Sequence, residues 1–297
     1  MGVRERIDQQ IVERAAWLGQ ENVAVRAARP ILHRMLSYDR TVALAEEMEA
    51  WSGRALMDRM GGLLARDLVV TGLHNIPRSG GAMIVANHPT GIADGIMLHH
   101  MLAPLRPDLF FYANVDILKV VPQLTSMIAP VEWRQDKRTH GKTRETMAFT
   151  RKAMDEKRLG IIFPSGRLAK RRGLRLFERD WMPSAAMIAR KFDVPVIPMH
   201  IRARNSALFY LFDLVHPSLR DITLFHETLN KDRQPYRVTI GKPIEARSLP
   251  ANSEDAIAAL KEATLALGGR HTRSVSLVDS SRRPVLFARA RSRPGSA

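Results

Sequence analysis

From Asp67 onward, short apolar and β-branched runs alternate with stretches of helical periodicity, and this alternation constrains the fold more than any other feature of the chain. Strand-like runs occupy residues 68–73, 82–87, 109–113, 128–133, 160–164, 194–201 and 237–240. Helical patterns fill 95–105, 142–157, 181–191, 207–228 and 254–267. Such alternation predicts an α/β fold with a mixed, mostly parallel sheet flanked by helices. Residues 3–66 instead carry apolar residues at helical intervals, for example Ile7, Ile11, Ala15 and Leu18, so an N-terminal helical region is expected. Pro30 is expected to break its first run, and Gly53, Gly61 and Gly62 fall near later breaks. The expected organisation is a helical region at 1–66, an α/β domain at 67–267 and a tail at 268–297.

Charge narrows the partners. Lys and Arg number 46 against 30 Asp and Glu, a net charge of +16 that draws the molecule to polyanions, nucleic acid or an anionic lipid surface. Aromatic residues make up only 6% and do not interleave with the cations as stacking platforms require, so nucleic acid is not the expected partner. The chain has no cysteine, which excludes disulfides, a thiolate nucleophile and cysteine-ligated zinc or iron–sulfur sites. No His-Glu-x-x-His or comparable ligand spacing appears, and the adjacent His99 and His100 read as helix-face residues, so no metal is expected.

The N-terminus lacks the apolar core of a signal peptide, and Pro, Gly or charge interrupts every apolar stretch before about 18 residues. The expectation is a cytoplasmic protein, peripheral on the inner face of the membrane. Trp17, Leu18, Ile31, Leu32, Met35 and Leu36, flanked by Arg26, Arg29 and Arg34, form a candidate basic amphipathic surface. The alternative is that these helices simply pack on the main core. The tail at 268–297 holds seven Arg and one acidic residue among Gly, Ser and Pro, a composition expected to be disordered, with Val285, Leu286 and Phe287 as a short apolar insert.

The chemistry concentrates at Ile84-Val85-Ala86-Asn87-His88-Pro89-Thr90-Gly91-Ile92-Ala93-Asp94-Gly95. Residues 82–87 read as a buried strand that Pro89, Thr90 and Gly91 end at once, leaving His88 at the strand end. Asp94 opens the next helical stretch, where a carboxylate is favourable near the positive helix end. A turn through Pro-Thr-Gly folds the two together, and the aspartate then orients the imidazole and stabilises the imidazolium formed when it removes a hydroxyl proton. The alternative is a loop histidine beside an unrelated N-cap.

A second block reads Phe163-Pro164-Ser165-Gly166-Arg167, followed by Leu168-Ala169-Lys170-Arg171-Arg172. Read as another strand-to-helix junction with a glycine and four cations, it describes an anion site. The third block, Val194-Pro195-Val196-Ile197-Pro198, reads as a buried packing strand, and His200 within it as a structural histidine.

In that order, Asn87 to Asp94, Phe163 to Arg167 and Val194 to Pro198 resemble the blocks of the glycerolipid acyltransferase superfamily, the 1-acylglycerol-3-phosphate acyltransferase type. The stretch around Pro130 and Arg134 resembles a further block, and the run from Asn205 to Gly241-Lys242-Pro243-Ile244 is similar to a haemolysin-like, lysophospholipid acyltransferase branch. The resemblance covers roughly residues 68–244. It implies transfer of a fatty acyl chain from acyl-CoA or acyl carrier protein, as co-substrate, to a lysolipid or glycerol-phosphate hydroxyl, with no cofactor and no acyl-enzyme. By the same resemblance His88 is the base, Asp94 its partner, Arg134 and Arg167 phosphate contacts, and Asn87, Gly91, Pro164 and Gly166 motif support; Lys170, from the cation cluster, is a further expected phosphate contact. Two departures stand out. The family usually has four residues between His and Asp where this chain has five, and it has Glu where this chain has Ser165. The other readings are acylation of a non-glycerol lysolipid such as lyso-ornithine lipid, and a non-catalytic protein that binds anionic lipid.

Overall fold

The computed structural model describes residues 2–20, 23–132, 139–269 and 273–281. Four helices come first: α1 (Val3–Arg14), α2 (Val23–Met35), α3 (Tyr38–Glu47) and α4 (Gly53–Leu64). Then β1 (Leu68–Thr71), β2 (Ala82–Ala86), α5 (Ile92–Leu102), β3 (Phe110–Asn114), α6 (Asp116–Val120), β4 (Ile128–Val131), α7 (His140–Asp155) and β5 (Leu159–Ile162) follow. The second half adds β6 (Lys170–Arg172), β7 (Arg175–Phe177), α8 (Ser184–Phe192), β8 (Val196–Arg202), α9 (Ala207–Val215), α10 (Pro217–Ile222) and α11 (Leu224–Leu229). It closes with β9 (Tyr236–Ile240), α12 (Ser253–Ala266) and β10 (Val275–Ser276).

Seven strands form one sheet in the order β1-β9-β8-β2-β5-β3-β4, parallel throughout except between β8 and β9. This is the mixed, mostly parallel sheet that the alternation predicts. Its two faces separate by the period of two that a strand imposes. On β2, Ala82, Ile84 and Ala86 enter one apolar cluster with residues of α4 and α5, while Met83 and Val85 enter another with residues of α7, α8 and α12. All five residues of β2 are buried, as a central strand covered on both faces must be. At the crossing of α4 and α5, a Cβ on Gly61 would lie 2.7 Å from His100, so glycine there permits the close approach.

Several expectations need correction. Pro30 lies inside α2 rather than ending it, and Gly61 and Gly62 lie inside α4. Pro30 forfeits one backbone hydrogen bond, but it is exposed while Val25, Leu32 and Leu36 anchor the segment in an apolar cluster with Leu18 and Ile222. Packing outweighs the lost bond. The helical pattern at 207–228 divides into α9, α10 and α11, because Pro217 cannot continue a helix but opens one, and the His216 ring accepts the Ser218 N–H at its start. Within 268–297, residues 273–281 are ordered rather than tail-like. Val275 pairs with Leu176 of β7 and is buried against it, so an apolar partner surface offsets the chain entropy that composition alone predicts to win. Val285, Leu286 and Phe287 lie outside the described residues.

Candidate active site

His88 stands two residues beyond the carboxyl end of β2, the middle strand of the sheet. β5 runs parallel beside it, with Val85 opposite Ile162, so the segments leaving both strands emerge on one edge. Two blocks far apart in sequence therefore meet: the His88 ring stacks on Phe163, centroids 4.2 Å apart. Clefts at the carboxyl ends of parallel strands are where α/β sheets present their chemistry.

The turn after His88 depends on Gly91, whose φ of +89° falls where residues with a Cβ are strained. As the N-cap it is followed by α5 from Ile92, so Asp94 sits in the first helical turn rather than before the helix. His88 Nδ1 then lies 2.9 Å from Asp94 Oδ2, off the direct N–H axis. Such contacts commonly tighten when a ligand is bound. Asp94 is fully buried and richly held: Thr90 and Gly91 N–H donate to Oδ2 at 2.9 and 3.1 Å, and the Thr90 and Tyr236 hydroxyls donate to Oδ1, each at 2.5 Å. Burial pushes its carboxyl up, but His88 and these hydroxyl donors outweigh it and the net shift is downward. A carboxylate held toward its ionised form thus faces Nδ1, and Nε2 is the ring nitrogen turned away from it. The His88 side chain is 19% exposed.

Tyr236 is a contact that the sequence reading did not name. β9 runs antiparallel to β8, so its first residue arrives at the same edge where β2 and β8 end. Burial and the Asp94 charge raise its phenol well above the ordinary value, so it remains a donor. Tyr236→Phe orphans no atom but withdraws one donor from a buried carboxylate, and is expected to lower stability by about 1.5–3 kcal/mol, read from the urea unfolding midpoint.

The remaining motif residues serve the frame. Asn87 continues the sheet with its side chain: Nδ2 donates to the Ile201 carbonyl at 2.9 Å and Oδ1 accepts the Ile201 N–H at 2.7 Å. Pro164 is buried and its carbonyl accepts the Met182 N–H at 3.0 Å. Gly166 closes a turn onto the Phe163 carbonyl at 2.9 Å, and Ser165 is buried with its hydroxyl donating to the Arg167 carbonyl. Arg167 and Lys170 are exposed, and Arg134 lies outside the described residues. The reading of 160–172 as a strand-to-helix junction is wrong: β5 is followed by the β6–β7 hairpin, with Lys170 its first residue. Arg172 pairs with Arg175 across the two-residue loop Gly173-Leu174, a hairpin signal hidden among the cations. His200 is buried in β8 and its ring is held neutral down to about 4, first by burial and then by Arg202.

The hairpin also reaches His88. Ala169 N–H donates to the His88 carbonyl at 2.9 Å, and His88 N–H donates to Glu178 Oε2 at 3.2 Å. Just past it, Arg179 Nε donates to the Leu168 carbonyl, and its guanidinium feels the charges of Arg167 and Arg220. Neither Glu178 nor Arg179 belongs to a motif in the sequence.

The His88–Asp94 pair thus stands at the carboxyl end of a central parallel strand, with a second motif brought beside it by the neighbouring strand. Residues 67–202 match the family model described as Acyltransferase, and this segment holds both the His88–Asp94 pair and the Phe163–Arg167 block. Among individual proteins, it is 25% identical over 181 residues to the lyso-glycine lipid O-acyltransferase of Phocaeicola vulgatus, which covers 59% of this chain and 63% of that one. It is 24% identical over 181 residues to the protein of the same name from Bacteroides thetaiotaomicron, covering 59% and 65%. The matched region thus spans less than two thirds of these relatives. Of solved structures, the 1-acyl-sn-glycerophosphate acyltransferase of Thermotoga maritima matches with a TM-score of 0.49 and 14% identity, over 82% of this chain and 96% of that one.

Proposed function

We propose that this protein is a lysolipid O-acyltransferase in which His88 is the general base. The observation that carries the reading is the His88–Asp94 pair, seated at the sheet edge inside the segment that matches the acyltransferase family. The acceptor hydroxyl gives its proton to His88 Nε2, and its oxygen attacks the carbonyl of an acyl thioester. The C–S bond breaks, and His88 returns the proton to the departing sulfur. Asp94 keeps the imidazole in the right tautomer and stabilises the imidazolium. A thioester is already activated, so alignment and a base suffice without an acyl-enzyme, and the chain has no cysteine to form one. The donor is acyl-CoA or acyl carrier protein, and Arg134, Arg167 and Lys170 are the proposed phosphate contacts.

A second reading of the acceptor has its own support. The curated relatives are named for a lyso-glycine lipid, an acceptor outside the glycerol-phosphate class, and Ser165 departs from the family's usual form. An amino-acid lysolipid is therefore the favoured alternative to a lysophospholipid.

Delivery of either acceptor fits a protein that rests on a membrane surface. No described helix is long and apolar enough to cross one. α9 exposes Leu211, Leu214 and Val215, and α2 exposes Val23, Ile31 and Met35, while Phe212 and Leu32 pack in one cluster between them. With a charge of +16, these apolar side chains suit an anionic lipid interface.

The test offers the purified full chain labelled acyl-CoA or acyl carrier protein, with lysophosphatidic acid, lyso-glycine lipid or lyso-ornithine lipid as acceptor. Transfer to at least one acceptor is expected. Absence of transfer in every combination, with binding to anionic vesicles intact, overturns the enzyme reading in favour of a passive lipid binder.

A further inference from the structure

We propose that Glu178, brought in by the β6–β7 hairpin, is a positioning residue for His88 and sets the charge environment in which it takes up a proton. This rests on His88 being the base. The argument starts from the backbone. His88 lies past the last ladder position of β2, so its N–H and carbonyl have no strand to pair with, and buried backbone groups demand partners. Both find them on one element: the carbonyl accepts from Ala169 at the start of the hairpin, and the N–H donates to Glu178 at its end. The hairpin holds the His88 backbone from two sides, which fixes the point from which the ring projects toward Asp94.

A carboxylate is an unusual choice for a task that any carbonyl oxygen performs. Glu178 also accepts from Trp181 Nε1 at 3.1 Å and lies beside the Ser165 hydroxyl. Position 165 is where the chain lacks the glutamate of the family's usual motif, so the hairpin delivers a carboxylate to the neighbourhood that its own sequence leaves without one. Burial raises the Glu178 carboxyl, and the His88 N–H, Trp181, Ser165 and the His88 charge offset only part of that rise. The coupling runs both ways: a negative Glu178 favours the imidazolium that general-base catalysis creates. The other charged or titratable groups around His88 are Asp94 from α5 and, beyond them, Tyr236 from β9, Lys231 from the loop before it, and Arg167 and Arg179 flanking the hairpin.

Three variants test this in the acyl-transfer assay: His88→Ala, Glu178→Gln and Glu178→Ala. Glu178→Gln keeps an oxygen for the His88 N–H but not the charge. It is expected to lower kcat about tenfold with KM within twofold, and to move the acid limb of the kcat/KM profile to lower pH by roughly half a unit. Glu178→Ala removes the grip as well and is expected to lower kcat about a hundredfold. Should the alanine variant fail to fold, the glutamine variant decides alone. A glutamine variant with wild-type kcat and an unmoved acid limb overturns the proposal, as does a rise in KM at unchanged kcat, which marks a substrate contact. His88→Ala separates the two levels: if it retains activity the base assignment itself fails, whereas if it is inactive and Glu178→Gln is normal only the role of Glu178 falls.

Discussion

His88→Ala is expected to lower kcat by about three orders of magnitude, in the middle of the range that a positioned general base contributes, while leaving the fold intact. The fold survives because the site does not lean on the imidazole. The ring is partly exposed and stacks against Phe163. Its removal leaves Asp94 with four donors, from Thr90, Gly91 and Tyr236, so no buried charge is stranded. Steady-state kinetics beside a urea melt separate the two effects, and a variant that melts normally yet retains most of its activity overturns the mechanism. Asp94→Asn is a less clean companion. The amide has one acceptor oxygen where the carboxylate has two, and its NH2 would face the Thr90 and Gly91 N–H groups, so activity and stability should fall together.

Lys231→Met is expected to show the largest loss of stability. Lys231 and Glu227 are 1% and 0% exposed at their side chains, 3.3 Å apart. The ammonium also donates to Asn205 Oδ1 at 2.9 Å and Asn230 Oδ1 at 3.2 Å, while Glu227 accepts from the Ser206 N–H and hydroxyl. Burial pulls the Lys231 ammonium below its ordinary value, and Glu227, then Asp94, push it back. Removing the cation leaves a carboxylate with no counter-charge in the interior, a loss of about 3–5 kcal/mol. Adding Glu227→Gln to Lys231→Met should recover most of it, because the amide still accepts from Ser206 without carrying charge. A shift in urea midpoint equal in single and double variants would show that lost packing, not the stranded charge, is responsible.

The seven strands of the main sheet were legible because they are apolar, short and punctuated, and the structure places each at or within two residues of the expected limits. The pairing of His88 with Asp94 was legible as a possibility, since both stand on one turn. What the sequence hid is what long-range contact decides. Tyr236 reaches Asp94 only because β9 runs against β8, and nothing near Tyr236 marks it. Glu178 is one acidic residue beyond a cluster of cations, its meaning set by a hairpin that reads as a charged loop. Val275 and Ser276 form a strand only because Leu176 and Arg175 are there to pair with. In each case local propensity is weak and the partner lies far along the chain.

β1 has a single neighbour in the sheet, and that neighbour is β9, with Leu68 opposite Tyr236. During synthesis the first strand of the sheet therefore waits until nearly all of the α/β region has been made, on the order of ten seconds or more at ordinary translation rates. Until then its edge is unpaired and Asp94 lacks the tyrosine hydroxyl. The earlier strands can associate as they emerge, but Asp94 acquires its full set of donors only at the end, so a chain interrupted before β9 lacks both the partner of its first strand and the tyrosine that caps a buried carboxylate.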